Sequence, residues 1–481
     1  MSWQPRIGSG AAGLALLAPL FLLFLVSGCA TLPAYRKPAP DMPAAWQLDA
    51  PWRTGAPNDA APKGAWWLQF NDAQLDALQQ QALANNQTLA AASARLQQAR
   101  AVVDVNLAAQ FPQLSLGTRV ARQKISANRP LTNYNALNLS TVQSDYAVTL
   151  SVSYEVDLAG RVSSAIEGVQ ASAEQSAADL ENTRLVLTAD LASNYFSLRA
   201  LDSELDVLSR SIALQRRALD LAAARHDLGA TSGLDVAQQQ ALLDNTLTQV
   251  DVVRRQRGQF EHAIATITGT PAPSFSLPPS TAAVAPPAIP LGLPSDVLER
   301  RPDVASAERA MAAANAQIGV ANAAFYPSFI IGSALGLDSR VWPNLFNAPS
   351  LLWSLGVSTS QLLFDGGRIR ANLDFARAGY DLTTANYRRV VLTAMQEVED
   401  GITSLGALES AHAQAQVATA SARRVLDIAN SRYEGGVATY LDVISAQQAV
   451  LNIERQSAQL LGQRLLTSVF LVKALGGDWK L

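Results

Sequence analysis

Few residues of this 481-residue chain stand in a pattern that could carry enzyme chemistry. The three histidines, His226, His262 and His412, are too scattered for a metal-ligand motif, and a single cysteine is too few for a cysteine-rich metal site. Neither a phosphate-binding loop nor a G-x-S-x-G nucleophile motif occurs. The letters G-x-G-x-x-G do occur at 8–13, but without the preceding strand and the following acidic residue that dinucleotide binding needs. We therefore predict no enzyme, no catalytic residue, no metal site and no cofactor.

The composition excludes two broad classes of protein. With 49% hydrophobic and 16% charged residues, the chain has enough apolar side chains for a large core, so we expect it to fold. Its formal net charge of -3, without a lysine- or arginine-rich run, argues against nucleic acid as a partner.

The lone cysteine, Cys29, follows a segment with the features of a secretory signal. Arg6 gives that segment a positive start, and its apolar core, Leu14–Val26, is too short for a comfortable membrane span. The sequence Val-Ser-Gly-Cys at 26–29 resembles the bacterial lipobox, in which the cysteine becomes the lipid-modified first residue. We therefore expect a signal peptide at 1–28 and an N-palmitoyl, S-diacylglycerol Cys29 rather than an ordinary buried thiol. Ala30, in place of an aspartate, favours the outer membrane.

The rest of the chain consists of two related halves. Five residues of the segment Arg225–Val236 recur in Arg432–Val443, each 207 positions later. An upstream block, Val105–Gly117, matches Val320–Gly332 at an offset of 215, so the first half carries a longer insertion. A proline-rich stretch separates the halves. We predict an extended lipidated segment at 29–70, a first repeat at 71–270, a linker at 271–293 and a second repeat at 294–481.

Each half contains two predicted strands, in which apolar and polar residues alternate. They cover about 113–126 and 143–157 in the first half, and about 328–338 and 350–363 in the second. Strands of about 11 to 13 residues can cross a bilayer when tilted by about 45°. The same alternation would fit a half-buried sheet of a soluble domain, but the lipobox favours membrane strands. Four strands cannot close around a pore, so several chains must share one barrel.

A long helix follows the strands of each half, at about 160–228 and about 367–434. Apolar or small residues recur in 4,3 spacing from Leu187 to Ala222, and the same register runs from Ala394 to Ala429 in the second half. This spacing is typical of a coiled-coil seam. A helix of some 69 residues is about 100 Å long at 1.5 Å per residue, enough to span a compartment. Shorter helices are predicted before each pair of strands and after each long helix.

Four motifs together resemble those of a known family. They are the runs Gly292–Asp303, Ala314–Ala321 leading to Tyr326–Ser328, Phe364–Arg368 and Thr231–Gln238. With them the chain resembles the outer-membrane efflux factors of the TolC superfamily, in particular the lipoprotein branch of NodT-type subunits in tripartite RND drug-efflux systems. Within the first run, Glu299, Arg300 and Arg301 are interpreted as interface or capping residues rather than catalytic ones.

The resemblance implies a fold that is mainly α with membrane β. Duplicated α-β-β-α-α halves would form a homotrimer, whose twelve-stranded β-barrel takes four strands from each chain and continues as a long α-helical coiled-coil tunnel in the periplasm. The implied partners are outer-membrane lipid, a periplasmic adaptor (membrane fusion) protein and an inner-membrane RND-type pump. The implied function is a lipid-anchored outer-membrane exit duct that passively conducts drugs or other small molecules, and so confers multidrug resistance.

In this family the adaptor docks at the turns between the long and the returning helices. Those turns contain Gly229 and Thr231 in the first half and Gly435 and Gly436 in the second, where glycine permits the chain to reverse.

Two aspartates and a serine lie just inside these turns and are candidate gate residues. Asp235 and Asp442 stand near the start of the returning helices, where an acid either compensates the helix N-terminus or contributes to a ring that favours cations. Ser445 occupies a place where the family commonly has an aspartate, so the innermost acidic ring would be weaker.

Two other functions fit part of the sequence. The exit duct of a type I protein secretion system would use the same elements, although the lipoprotein-branch motifs favour small-molecule efflux. A periplasmic lipoprotein scaffold of coiled coils would explain the helices but would leave the alternating strands without a role.

Overall fold

The computed structural model describes residues 64–128, 141–282, 284–287 and 300–477. The predicted signal peptide, the lipidation site Cys29 and the motif residues Gly292–Glu299 lie outside the described residues. So does most of the predicted extended segment.

The described elements follow the predicted duplicated order, and the fold is mainly α with two pairs of strands. A short 3₁₀ turn at Trp66–Phe70 precedes the first half. That half forms α1 (Ala73–Asn85), α2 (Gln87–Leu107), β1 (Gln113–Ile125), β2 (Thr141–Val156), α3 (Arg161–Asp227) and α4 (Gly233–Ile267). The second half forms α5 (Pro302–Ala323), β3 (Ser328–Ser339), β4 (Leu351–Ser360), α6 (Arg368–Glu434) and α7 (Tyr440–Ala474).

Helix α1 is an element that the sequence pattern did not predict. It is separated from α2 by Asn86, whose backbone is extended, with φ -70° and ψ 125°. The Asn86 side chain accepts a hydrogen bond from the N–H of Leu89 at 3.0 Å and donates one to the carbonyl of Ile267 at 2.8 Å. Asn86 therefore caps the start of α2 and ties it to the end of α4.

The four strands form one antiparallel sheet in the order β1-β2-β3-β4. Both hairpins, β1–β2 and β3–β4, lie at the same end of the sheet, because every strand is antiparallel to its neighbour. The chain enters and leaves the sheet through helices at the opposite end.

The chain divides into two compact units, and each of them draws on both sequence halves. The sheet unit contains Gln97–Glu174 and Glu308–Ala385, and so holds the four strands with the adjoining parts of α2, α3, α5 and α6. The helical unit contains Gln175–Ala307 and Asn386–Leu481, together with α1 and the start of α2. The two repeats of the sequence are thus not two spatial domains.

The predicted coiled-coil seam forms the interior of the helical unit. All of its positions are buried or half-buried, both from Leu187 to Ala222 in α3 and from Ala394 to Ala429 in α6. A close approach of α3 and α7 is permitted by Gly462, where a Cβ atom would lie 2.6 Å from the Cβ of Ala200. The side chains that the 4,3 spacing predicts as the seam are therefore the ones through which the long helices pack.

Each strand pair connects to its long helix through a capping aspartate. Asp157 accepts hydrogen bonds from the N–H groups of Val162 at 3.0 Å and Ser163 at 2.7 Å. Asp365 does the same for Gly367 at 2.9 Å and Ile369 at 2.7 Å. These bonds satisfy the free N–H groups at the start of α3 and α6.

Among the described residues, no helix is both long enough and apolar enough to cross a membrane.

Candidate channel elements: the sheet and the helix tips

One face of the sheet is apolar and exposed across all four strands. The register aligns apolar side chains in rows, one of which joins Leu116, Leu150, Leu335 and Trp353. Leu116 is 69% exposed and Trp353 is 73% exposed. A contiguous apolar surface of this kind is rare on a protein face that contacts water. Lipid is the environment that fits it.

The height of this apolar face matches that of a membrane barrel. On β2 it runs from Tyr146 to Val156, and the apolar side chains between them alternate with polar ones. Ten residues of strand cover about 34 Å, or about 24 Å across a membrane at a tilt of 45°, against about 25 Å for the apolar band of outer-membrane barrels. Tyr146 packs against Trp342 at a ring distance of 5.6 Å, and this aromatic pair marks the hairpin end of the band.

The opposite face of the sheet is polar and carries a charge cluster near the hairpins. Arg119 lies 2.7 Å from Asp145 and 3.9 Å from Asp338. Ser115, Ser151 and Ser354 align in a row on the same face. A polar face of this kind fits the water-filled interior of a channel.

Both predicted helix tips are closed by a glycine in the left-handed region. Gly229 has φ +67° and Gly436 has φ +74°. Gly229 donates to His226 at 2.8 Å and Ala230 to Arg225 at 2.8 Å, which is the pair of bonds of a Schellman motif. Gly436 and Val437 repeat both bonds. Gly435 is not the reversing residue.

The first tip is further held by polar contacts of Thr231. Its carbonyl lies 3.1 Å from Nδ1 of His226, and its hydroxyl donates to the carbonyl of Ala222 at 3.4 Å. Ser232 then accepts from the N–H of Leu234 at 3.1 Å and caps α4. Thr231 therefore orders the turn that leads into the returning helix.

The two candidate gate aspartates differ in their contacts. The Asp442 carboxylate accepts hydrogen bonds from the backbone N–H and the hydroxyl of Thr439, both at 2.9 Å, and so caps α7. Asp235 occupies the matching position of α4, and its backbone N–H donates to the carbonyl of Ser232 at 3.1 Å, but its carboxylate makes no hydrogen bond with another described residue. Ser445 is exposed, three residues after Asp442 on α7. The structure gives Asp442 a capping role, whereas the Asp235 carboxylate accepts no hydrogen bond from the part of the chain that the structure describes.

Exposed apolar side chains surround both tips, a feature that the sequence pattern did not reveal. Leu228 is 84% exposed at the first turn, and Val437 is exposed at the second. Leu234 and Leu441, at matching positions of the two returning helices, are exposed as well. These residues lie outside the seam, and their spacing carries no signal of burial against a partner.

A cluster behind the tips joins the two helix pairs. The Tyr440 hydroxyl donates to Oε1 of Gln239 at 2.9 Å, and Nε2 of Gln239 donates to the carbonyl of Gln215 at 3.1 Å, so the contact links α7, α4 and α3. Burial, with the nearby Tyr433 and Asp235, raises the pKa of Tyr440 to about 12. The hydroxyl therefore remains a donor at neutral pH.

Buried ion pairs that no sequence motif predicts hold the helical unit together. The fully buried carboxylate of Asp202 on α3 accepts from Arg199 at 2.8 Å and from Arg257 of α4 at 2.7 Å. It also accepts from the N–H of Ser280 at 3.1 Å, while Arg257 donates to the carbonyl of Leu277 at 2.6 Å. The described part of the proline-rich linker is therefore fixed against α3 and α4. The only signal in the sequence was the spacing Arg199–Asp202, typical of helix ion pairs.

A second network joins the first helix pair to the last helix. Nε of Arg455 on α7 donates to Glu204 of α3 at 2.9 Å, and its Nη1 donates to Gln249 of α4 at 2.8 Å. Because the Glu204 side chain is nearly inaccessible to solvent, loss of Arg455 would leave a buried charge without its partner.

Arg301, which we interpreted as an interface or capping residue, is buried at the start of α5. It donates to both carboxylate oxygens of Asp303, to Glu397 at 2.6 Å and to the carbonyl of Ala474 at 3.0 Å. Arg301 thus connects α5, α6 and the end of α7.

The three histidines lie on three different helices, His226 on α3, His262 on α4 and His412 on α6. His226 lies at the first tip, and His412 lies in the seam beside Arg464. Burial and the Arg464 charge lower the pKa of His412. No group of three or more potential metal ligands occurs in the described part of the chain.

Comparison with known proteins adds an independent observation. The sequence model of the family described as outer membrane efflux protein matches residues 78–270 and 293–477. The toluene efflux pump outer membrane protein TtgF of Pseudomonas putida is 32% identical over 463 residues, which cover 94% of this chain and 95% of TtgF. The pyoverdine export outer membrane protein OpmQ of Pseudomonas aeruginosa is 30% identical over 465 residues, 95% of each chain.

Solved structures share the architecture over nearly the full chain. The outer-membrane channel OprN superposes with a TM-score of 0.85 at 28% identity, covering 94% of this chain and 100% of OprN. The open state of the MtrE outer membrane channel of Neisseria gonorrhoeae superposes with a TM-score of 0.80 at 26% identity, covering 93% and 98%.

Proposed function

The chain belongs to the outer membrane efflux protein family and is an efflux protein of the outer membrane, and we propose the following mechanism for it. Three copies form a passive exit duct, which takes small molecules from an RND-type inner-membrane pump through a periplasmic adaptor to the exterior. The lipid on Cys29 anchors the duct. The cargoes named for TtgF and OpmQ, toluene and pyoverdine, support small organic molecules as the cargo class.

The exposed apolar face of the sheet is the observation that carries this proposal. An exposed apolar face is stable in contact with lipid, and the polar face on the opposite side of the sheet is stable in contact with water. Strands β1 and β4 stand at the two edges of the sheet, with one side of each unpaired among the described residues. An open edge cannot face hydrocarbon, so neighbouring copies must pair edge to edge until the barrel closes. Three copies would supply twelve strands.

The helix tips support docking of the adaptor. Leu228, Leu234, Val437 and Leu441 form an exposed apolar set at the two turns, and apolar side chains commonly form the centre of a protein interface. Their position at the ends of the long helices suits a partner that meets the duct end to end.

Conductance in planar bilayers tests the duct. The detergent-purified full chain should give discrete conductance steps, because each inserted duct opens a water-filled pore. A coiled-coil scaffold would give no steps. A closed resting gate would silence the wild type, so Asp235→Ala and Asp442→Ala are measured alongside it. If all three proteins form trimers and none conducts, the duct is refuted in favour of a scaffold.

Docking is tested by exchanging exposed leucines. Leu234→Ser with Leu441→Ser should abolish co-purification of the adaptor, because both changes remove apolar contact area. Leu68→Ser, which changes an exposed leucine outside the turns, is the matched control. Equal adaptor capture by the tip variant and the control would refute docking at the tips.

Export in the cell separates efflux from protein secretion. Deletion of the gene should increase sensitivity to small toxic molecules and leave the secreted proteins unchanged. The reverse result would identify the duct of a type I secretion system. Complementation with Cys29→Ser measures how much the lipid anchor contributes.

A further inference from the structure

Two basic side chains lie on the lipid-facing side of β1, just beyond the apolar band. Alternation along the strand places Arg122 and Lys124 on the same face as Val120, and the register sets them opposite Ser144 and Val142 of β2. Both side chains are exposed. Neither forms an ion pair with another described residue.

The distribution of charge across the strands is one-sided. All three acidic residues of the four strands, Asp145, Glu155 and Asp338, fall on the polar face. Arg119, the basic residue of that face, is paired with Asp145 and Asp338. The apolar face therefore has only positive charge, and it has this charge only at its hairpin end.

The position of Arg122 and Lys124 along the strand indicates which ligand they can reach. The helices leave the sheet at the opposite end, so in the proposed duct the hairpin end faces the exterior. Arg122 lies two residues, or about 7 Å of strand, beyond the row of Tyr146 that ends the apolar band. Tyrosine and tryptophan at the edge of such a band mark the level of the lipid headgroups.

We propose that Arg122 and Lys124 bind the phosphate groups of the anionic glycolipid in the outer leaflet. The guanidinium can hold a phosphate through two hydrogen bonds, and the ammonium adds a point charge two residues further out. Three copies would supply a ring of six positive charges around the barrel. This inference rests on the proposed outward orientation of the hairpins and adds a lipid-binding surface to the duct.

Lipid retention provides the test. The full chain is reconstituted in phosphatidylcholine nanodiscs that contain bisphosphorylated lipid A, and the lipid A retained per trimer is counted by native mass spectrometry. Arg122→Gln with Lys124→Gln should retain at least about tenfold less, since each basic side chain near an anionic surface is worth a factor of about five. Dephosphorylated lipid A should be retained no better than phosphatidylcholine.

Two control variants keep the result interpretable. Arg119→Gln removes one positive charge from the same strand but from the polar face, and should retain lipid A as the wild type does. The charge-preserving exchange Arg122→Lys with Lys124→Arg should also retain it, which separates charge from folding.

Equal retention by wild type and the double glutamine variant, or equal retention of phosphorylated and dephosphorylated lipid, would overturn the lipid site. Because trimer formation is read in the same spectra and conductance is measured separately, failure of the lipid site is distinguishable from failure of the duct.

Discussion

Substitutions at Asp442 and Ser445 distinguish two roles of Asp442, as the cap of helix α7 and as a charged residue of the gate. Asp442→Ala removes the acceptor of both Thr439 hydrogen bonds, each 2.9 Å long, and should destabilise each chain by about 1 kcal/mol, the usual value of a cap. Asp442→Asn keeps an acceptor oxygen and should cost less than half of that. Both changes remove three negative charges from the proposed trimer.

The same variants have different effects on ion selectivity. Each charge about 4 to 8 Å from a passing ion in water contributes about 0.5–1 kcal/mol, so loss of the three charges should lower the ratio of cation to anion permeability by at least the roughly two- to fivefold that one charge supplies. Ser445→Asp adds a charge one helical turn further along α7 without touching the cap, and should raise the ratio by a similar factor. Asp235→Asn is the matched comparison, because that carboxylate has no hydrogen bond to lose among the described residues.

Thermal unfolding of the purified trimer and reversal potentials in salt gradients are the two measurements. If Asp442→Asn leaves the reversal potential unchanged while Ser445→Asp shifts it, Asp442 is a cap alone and the charge-ring reasoning fails at this position. If Asp442→Ala unfolds at the wild-type temperature, the cap reasoning fails.

Three further changes test the packing of the units. Asp202→Ala should cost about 3–5 kcal/mol, because it leaves the buried Arg199 without its carboxylate partner, whereas Arg257 keeps Glu261 at 3.0 Å; chemical unfolding measures this, and adding Arg199→Met should recover part of the loss. Gly462→Ala should cost about 1–3 kcal/mol through its contact with Ala200, whereas Gly406→Ala in open space should cost nothing; equal melting temperatures would contradict the close approach of the helices. Burial alone would raise the pKa of Asp157, but hydrogen bonds from Ser163 and neighbouring N–H groups outweigh it and lower that pKa, so this cap stabilises the fold above pH of about 4 and is lost below it. The melting-temperature deficit of Asp157→Asn should therefore be full at neutral pH and vanish in acid.

Repetitive elements were predictable because burial imposes a period on them. The seam from Leu187 to Ala222 follows 4,3 spacing, and its positions are buried or half-buried in the structure. The strands alternate because one face meets an apolar environment and the other a polar one. The glycine reversals at Gly229 and Gly436 were visible because a left-handed residue after a helix favours one residue type.

Contacts between distant residues were not predictable in this way. The break at Asn86 depends on the carbonyl of Ile267, which lies 181 positions later. The pairing of Asp202 with Arg257 and Ser280 depends on how distant segments pack in the folded chain, and no periodic pattern in the sequence predicts it. The roles of Asp235 and Asp442 differ although their positions match. Only Asp442 has a threonine three residues earlier, Thr439, whose N–H and hydroxyl both donate to its carboxylate.

The two tips of each chain are built alike but carry different side chains. The first presents Thr231 and its contact with His226, whereas the second presents Ala438 at the matching place. In a trimer this yields six turns of two kinds, three of each. A partner with threefold symmetry could recognise one kind and ignore the other, whereas a partner with six equivalent sites would have to tolerate both. Duplication of the sequence thus leaves the two tips free to change independently, as Thr231 and Ala438 already show.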